Sequence, residues 1–395
     1  MKRKKKKVIT RFSLFTFHFL LFTFHFLLFT FHFLRLYSDA MNMTKLAKVR
    51  DFIRTHQIEN LLLQRSQNFA WLTDGGASYV ALAADGGVAS LLITLDRQYV
   101  ITNNIEAERL QTEEGLADWE FVVGAWTDSL APLVKKVTRD ALHSDLPFAD
   151  ASDVAGKIAP LRYQLDAQEI ARYRIVGEAT GRAVQLAARA VRPGMSENEI
   201  AGLLAQHCYA HNVVPVVNLI ATDERIFNWR HPLPTQKKLD RYAMLVVCGR
   251  RWGLVASATR LVHFGPIPAE VQRKAEACAR VDASYMRATA RGATLGDVFH
   301  AGAGAYAAMG FPDEWQHHHQ GGLTGYAPRE LLATPTSSEP IVGAQAFAWN
   351  PSIRGAKSED TLLLTPNTKE LITQVDDWPM IDCDGILRPD ILQQP

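Results

Sequence analysis

Five side chains in the second half of this 395-residue chain have the types and settings for chemistry: His231, His318, Glu330, Asn350 and Glu359. An imidazole such as His231 exchanges a proton near neutral pH and suits acid–base work on a small molecule, although a histidine beside a proline, here Pro232, serves equally well as a loop residue. Glu359 lies in Ser358-Glu359-Asp360-Thr361, and its choices are an ion pair with Lys357, Arg260 or Arg250, or a bound ligand. His317, His318 and His319 look like a metal cluster. Successive side chains of an extended segment point to opposite faces, however, so three neighbours are not expected to share one ion, and His317 and His319 are expected to be solvated or structural. Cys248 has no histidine beside it and reads as a buried thiol rather than a nucleophile. Asn350 follows Phe347 and Trp349 in AQAFAWN, either presenting an amide to a pocket or ending a core strand. Gly321, Gly322 and Gly325 allow close backbone approach and carry no phosphate-loop signature.

The elements that must position these groups are legible in outline. KLAKVRDFIRTHQ has helical periodicity, ENLLLQRS and NFAWLT read as strand-like runs, and ASYVALAADGGVASLLITLDRQYVITN reads as a hairpin turning at Asp85-Gly86-Gly87. Alternation of helix and strand to about residue 160 implies a compact α/β domain. From Asp166 the texture changes: a long apolar-periodic helix runs to Arg192-Pro193-Gly194, and Ser196 with Glu199 forms a capping box for a second helix. VVPVVNLIAT and YAMLVVCG lead into a hairpin through GRRWG, two further helices follow, one opened by Thr294 and Asp297, and the remainder is glycine-rich loop and strand.

Read in order, these motifs resemble the pita-bread fold of creatinase, prolidase and aminopeptidase P, the M24 peptidase superfamily. EI…V-R-P-G-M-S-E-x-E-I, H-P-x-P-T, G-x-x-A-S-x-T-R, G-G-x-x-G-Y…R-E and S-E-D-T carry the resemblance over residues 164 to 375. It implies an α+β protein with a creatinase-like N-terminal α/β domain (41–163) and a pita-bread domain (164–395), a curved antiparallel sheet with outer helices. Family metallopeptidases hold two divalent ions with two Asp, one His and two Glu, because bridged hard cations need several anionic oxygens. The matching places here read Val247, Ser257, Gly322, Asn350 and Glu359, so one carboxylate survives and no metal or other cofactor is expected. His231 falls at the family's substrate-side histidine, which in creatinase is the acid/base on a C–N bond, and His318 falls at a second cleft histidine. The resemblance therefore implies a metal-independent hydrolase or lyase acting on a C–N bond of a small nitrogen-containing metabolite. In that reading His231 is catalytic and His318, Glu359, Asn350 and Glu330 contact substrate. The alternatives are a non-catalytic ligand-binding or regulatory protein, and an Xaa-Pro aminopeptidase or dipeptidase.

Residues 1–40 form a segment of their own. A basic start precedes Phe12 to Leu34, in which LFTFHFL recurs with complete identity and places His18, His25 and His32 within the apolar span. It reads as a translated repeat upstream of a start at Met41 or Met43, with an N-terminal membrane anchor as the alternative. Without it, 35 Lys/Arg against 40 Asp/Glu leave a net charge of −5, which gives no support to nucleic-acid binding. Four widely spaced cysteines fit free thiols in a reducing compartment, and the expected setting is a cytoplasmic homodimer that binds a small molecule.

Overall fold

The computed structural model describes residues 44–139 and 141–395, so the expectations for residues 1–40 lie outside the described residues. The chain divides into two compact units, 1–51 and 52–395. Of the first, residues 44–51 are described, as the start of helix α1 (Lys45–Thr55). No helix among the described residues is long and apolar enough to cross a membrane.

In the second unit, strands β1 (Asn60–Arg65), β2 (Gly86–Ile93), β3 (Gln98–Asn103), β4 (Glu120–Gly124), β5 (Leu142–Ser144) and β6 (Ser152–Asp153) form a mixed sheet ordered β4-β3-β2-β1-β5-β6. Its core joins Leu62, Leu92, Tyr99 and Ile101 to Leu133 and Val134 of a helix, Leu130–Val137. Two local expectations fail here. The β2–β3 hairpin turns at Thr94–Arg97, where the Thr94 hydroxyl bonds Asp96 and the Arg97 amide, and Gly86 and Gly87 already belong to β2. NFAWL lies in helix α2 (Ser66–Leu72) rather than in a strand; six of its seven residues are buried, so neither period shows in the sequence.

The second part of the unit follows the helix-then-strand order. Helix α3 (Ala167–Ala190) is capped by Asp166 and Glu169, α4 (Glu197–Ala210) by Ser196 and Glu199, and α6 (Leu295–Ala308) by Thr294 and Asp297, each pair bonding reciprocally. Helix α5 (Ala269–Ala288) lies between the last two. Strands β7 (Val214–Thr222), β8 (Tyr242–Arg251) and β9 (Leu254–Phe264) run antiparallel, with the C-terminal Leu392–Gln394 added parallel to β9. A five-stranded sheet includes β10 (Gly321–Thr324), β12 (Gln345–Trp349) and β15 (Asp360–Leu364), β11 being Leu331–Leu332 and the short hairpin Ser352–Lys357 supplying β13 and β14. The two sheets meet where the Thr259 amide donates to Glu359 O (3.0 Å) and the Ser257 amide to Thr361 Oγ1 (2.7 Å). Helix α3 lies against the outer face of β8, so close that a Cβ at Gly249 would stand 2.3 Å from Thr180 Oγ1.

A buried polar chain ties the two parts together. Asn68 donates to Asp145 (2.7 Å) and accepts from Arg162 (2.6 Å), and Arg162 clamps both oxygens of Glu330 (2.9 and 2.6 Å). Arg260 is used in the same way: with Arg388 it pairs to Asp360 and is not available to Glu359.

Candidate active site

The site forms on the inner face of β7 and β8, opposite residues that flank β10, β12 and β15. Cys248 on β8 is the direct partner of Ser257 on β9, and Val246 the partner of Thr259. Strand alternation therefore sends Val246, Cys248, Ser257 and Thr259 to the inner face. A cavity of about 310 Å3 opens there, walled by Val217, Leu219, Val246 and Pro328, with Cys248, His231, His319, Arg329, Asn350, Lys357 and Glu359 as its functional groups. This corrects the sequence reading of the hairpin, which put Val247 rather than Cys248 at a ligand place of the site. The one-residue difference in register exchanges the faces. Cys248 Sγ lies 3.2 Å from Ser257 Oγ, and burial, reinforced by Glu359, raises its pKa, keeping it a thiol.

Glu359 sits at the back of the cavity, fully buried. It accepts from Lys357 Nζ (2.8 Å), Arg329 Nη2 (2.9 Å) and Thr259 Oγ1 (2.9 Å). Burial by itself would raise its pKa; Lys357 and Arg329 more than offset that and hold it at about 2. Two cations face one carboxylate, so the cavity is net positive. Lys357 was among the partners the sequence offered, and Arg329 was not.

Opposite stands a histidine cluster. His231 comes from the loop after the short helix Glu224–Asn228, while His318 and His319 follow the helical turn Glu314–His317. His231 Nε2 lies 3.0 Å from His318 Nε2, and His318 Nδ1 lies 3.0 Å from Ser352 Oγ, which in turn accepts from Arg230 (3.0 Å). The ring centroid of His319 is 4.7 Å from that of His318 and 5.4 Å from that of His231. Two adjacent histidines thus converge on a third, contrary to the expectation from simple alternation: the helical turn ends between His317 and His318, and both imidazoles swing toward His231. Among the described residues, these three are the group of His, Cys, Asp or Glu whose ligand atoms fall within 4.8 Å of one another. Burial, followed by the charges of Lys357, Arg329 and neighbouring imidazoles, depresses the pKa of all three; His319 falls to about 4 and His318 far below the ordinary range. They are neutral at physiological pH.

The remaining predicted residues divide. Asn350 lines the cavity, and its Oδ1, with His319 Nδ1 and Arg329 Nε, is buried without a hydrogen-bond partner among the described residues. Glu330 is a correction: besides Arg162 it accepts from the Tyr326 and Ala327 amides, and it does not line the cavity. At Gly322 a Cβ would lie 2.2 Å from Leu331 O, so a histidine has no room there; His319 reaches the cavity from three residues earlier. His319, Arg329, Lys357 and Cys248 are the site residues that sequence reasoning missed. The family's ligand types include no lysine, arginine or cysteine, and simple alternation made His319 a solvated or structural residue.

A two-domain α+β chain with a pita-bread second domain and a cavity between its sheets defines the class. The model of metallopeptidase family M24 matches residues 171–366, and that part of the chain is an M24 peptidase domain. No curated protein matches it. Among solved structures it is similar to the prolidase from Pyrococcus horikoshii OT3 (17% identity, 84% of this chain and 98% of that one, TM-score 0.72). It is also similar to the X-Pro aminopeptidase from Thermotoga maritima MSB8 (17% identity, 88% and 99%, TM-score 0.71) and to a prolidase from Thermococcus sibiricus (16% identity, 88% and 97%, TM-score 0.73). At such identities the likeness is one of fold.

Proposed function

We propose that this chain is an M24-fold hydrolase that works without the family's pair of divalent ions, acting on a C–N bond of a small nitrogen-containing metabolite. The observation that carries the reading is the Lys357–Glu359–Arg329 cluster. The residues at the ligand places do not fit two hard ions: Cys248, a thiol, lines the cavity where an anionic oxygen is needed, Ser257 beside it is buried and carries only a hydroxyl, Gly322 admits no side chain, and Glu359 is already saturated by two cations. The net positive charge favours a substrate with an anionic end.

His231 is the acid/base in this reading. When its Nε2 donates to His318, Nδ1 is free to accept a proton from water; the resulting hydroxide attacks the substrate carbon, and the proton returns to the departing nitrogen. His231 is an imidazolium only between those two transfers: its Nε2–H stays on His318 Nε2, and the Nδ1–H of His318 donates to Ser352, which fixes the orientation of both rings. Lys357, Arg329 and the Asn350 amide face the developing oxyanion and the substrate's polar ends. A panel of N-acyl, carbamoyl and ureido carboxylic acids tests the reading: turnover by dialysed protein, abolished in His231→Ala, supports it, and turnover unchanged in that variant rejects the assigned role.

Two specific observations support other readings. The unpartnered Arg329 Nε, Asn350 Oδ1 and His319 Nδ1 suit a bound polar molecule whether or not it reacts, so ligand-induced thermal stabilisation without turnover marks a binding or regulatory protein. The convergence of three neutral imidazoles suits a single borderline ion such as zinc, against the repulsion of Lys357 and Arg329.

A further inference from the structure

A second cavity lies between the tip of the β8–β9 hairpin and residues 66–79 of the N-terminal domain. It measures about 30 Å3 and is bounded by Ser66, Gln67, Tyr79, Arg250, Trp252 and Tyr326. The Arg250 guanidinium stacks on Tyr79, 4.0 Å from the ring centroid. Four buried polar atoms of its walls have no partner among the described residues: Arg250 Nε, Arg250 Nη2, Ser66 Oγ and Gln67 Oε1. No Asp or Glu is among the described residues that line it. A buried guanidinium edge without an acceptor is unfavourable, and four such atoms on one small cavity point to a missing partner rather than to four separate defects.

We propose that this cavity binds a small planar oxyanion of the carboxylate type. The Nε/Nη2 edge of an arginine is a coplanar two-donor fork that matches two oxygens on one carbon. Ser66 Oγ adds a third donor, and Gln67 Oε1 is an acceptor for the O–H of hydrogencarbonate. The volume exceeds that of one water and is too small for a larger ligand, so the occupant is a free ion or the tip of a longer molecule. The glycines opposite keep the space narrow: a Cβ at Gly75 would stand 2.7 Å from Trp252 Cβ. Occupancy joins the N-terminal domain to the same hairpin that carries Cys248 and Ser257. The inference is independent of the proposed function, since none of these residues lines the larger cavity.

Formate is the probe, with hydrogencarbonate and acetate as further arms and chloride and sulfate at matched ionic strength as controls. Wild type is expected to show saturable thermal stabilisation by formate and hydrogencarbonate, absent with chloride and sulfate. Arg250→Gln is expected to weaken the formate effect about tenfold or more, and Ser66→Ala, which leaves the guanidinium in place, to weaken it less. A crystal soaked in formate places a planar ion on Arg250. If hydrogencarbonate stabilises more than acetate, a free ion is the occupant; if acetate does, the tip of a longer carboxylate is. Equal stabilisation in wild type and Arg250→Gln, or water alone on Arg250 at high formate, overturns the proposal.

Discussion

His231 and His318 face each other through their Nε2 atoms at 3.0 Å, and neither can be protonated there without the other giving up its hydrogen. The pair therefore behaves as one proton-exchanging unit, anchored through Ser352 to Arg230. Replacing His231 by Ala should cost about 10²–10⁴-fold in turnover with the thermal midpoint unchanged, because His231 is exposed at the cavity mouth. Steady-state kinetics beside a melting curve checks both halves.

The depressed histidines make stability depend on pH in a definite direction. A histidine that stays neutral in the fold takes up protons more readily when unfolded, so stability falls as pH drops from about 6.5 toward the folded value, which for His319 is about 4. After discounting for the part of His319 that water screens, its share at pH 5 is about 1 kcal/mol. Denaturant titrations at pH 7 and pH 5 on wild type and His319→Gln should show a smaller pH effect in the variant.

Glu359→Gln should leave Lys357 and Arg329 buried without their counter-charge, at a cost of about 3–5 kcal/mol. Adding Lys357→Met should recover part of that loss. A double-mutant cycle by chemical denaturation measures it, and a single-variant loss under about 1 kcal/mol would show the cluster to be more hydrated than its burial indicates.

Gly322→Ala probes the lost ligand place directly. With Leu331 O 2.2 Å from the added carbon, backbone must move, and the expected destabilisation is about 1–3 kcal/mol.

The hairpin, the capping boxes and the five ordered motifs made the fold legible, since each is a local pattern whose physics does not depend on distant neighbours. Ser196 with Glu199 and Thr294 with Asp297 cap their helices as the spacing indicates. The site was legible in part. His231, Asn350 and Glu359 reach the cavity, but whether Val247 or Cys248 faces it depends on a register that one residue in a turn can reverse. Glu330 was taken for a cleft residue because its partner, Arg162, lies 168 positions away. His319 and Arg329 entered only through the folding of loops whose shape no periodicity records. NFAWL failed for the opposite reason: a fully buried segment erases the contrast by which helix and strand are told apart.

Metal analysis of residues 41–395, expressed with manganese, cobalt or zinc and dialysed, decides whether the chain works without divalent ions. Well under one ion per chain is expected, with activity indifferent to chelator. Two retained ions per chain would contradict metal-free function by restoring the family's centre, and one retained ion lost in His319→Ala would contradict it in favour of the three-histidine site.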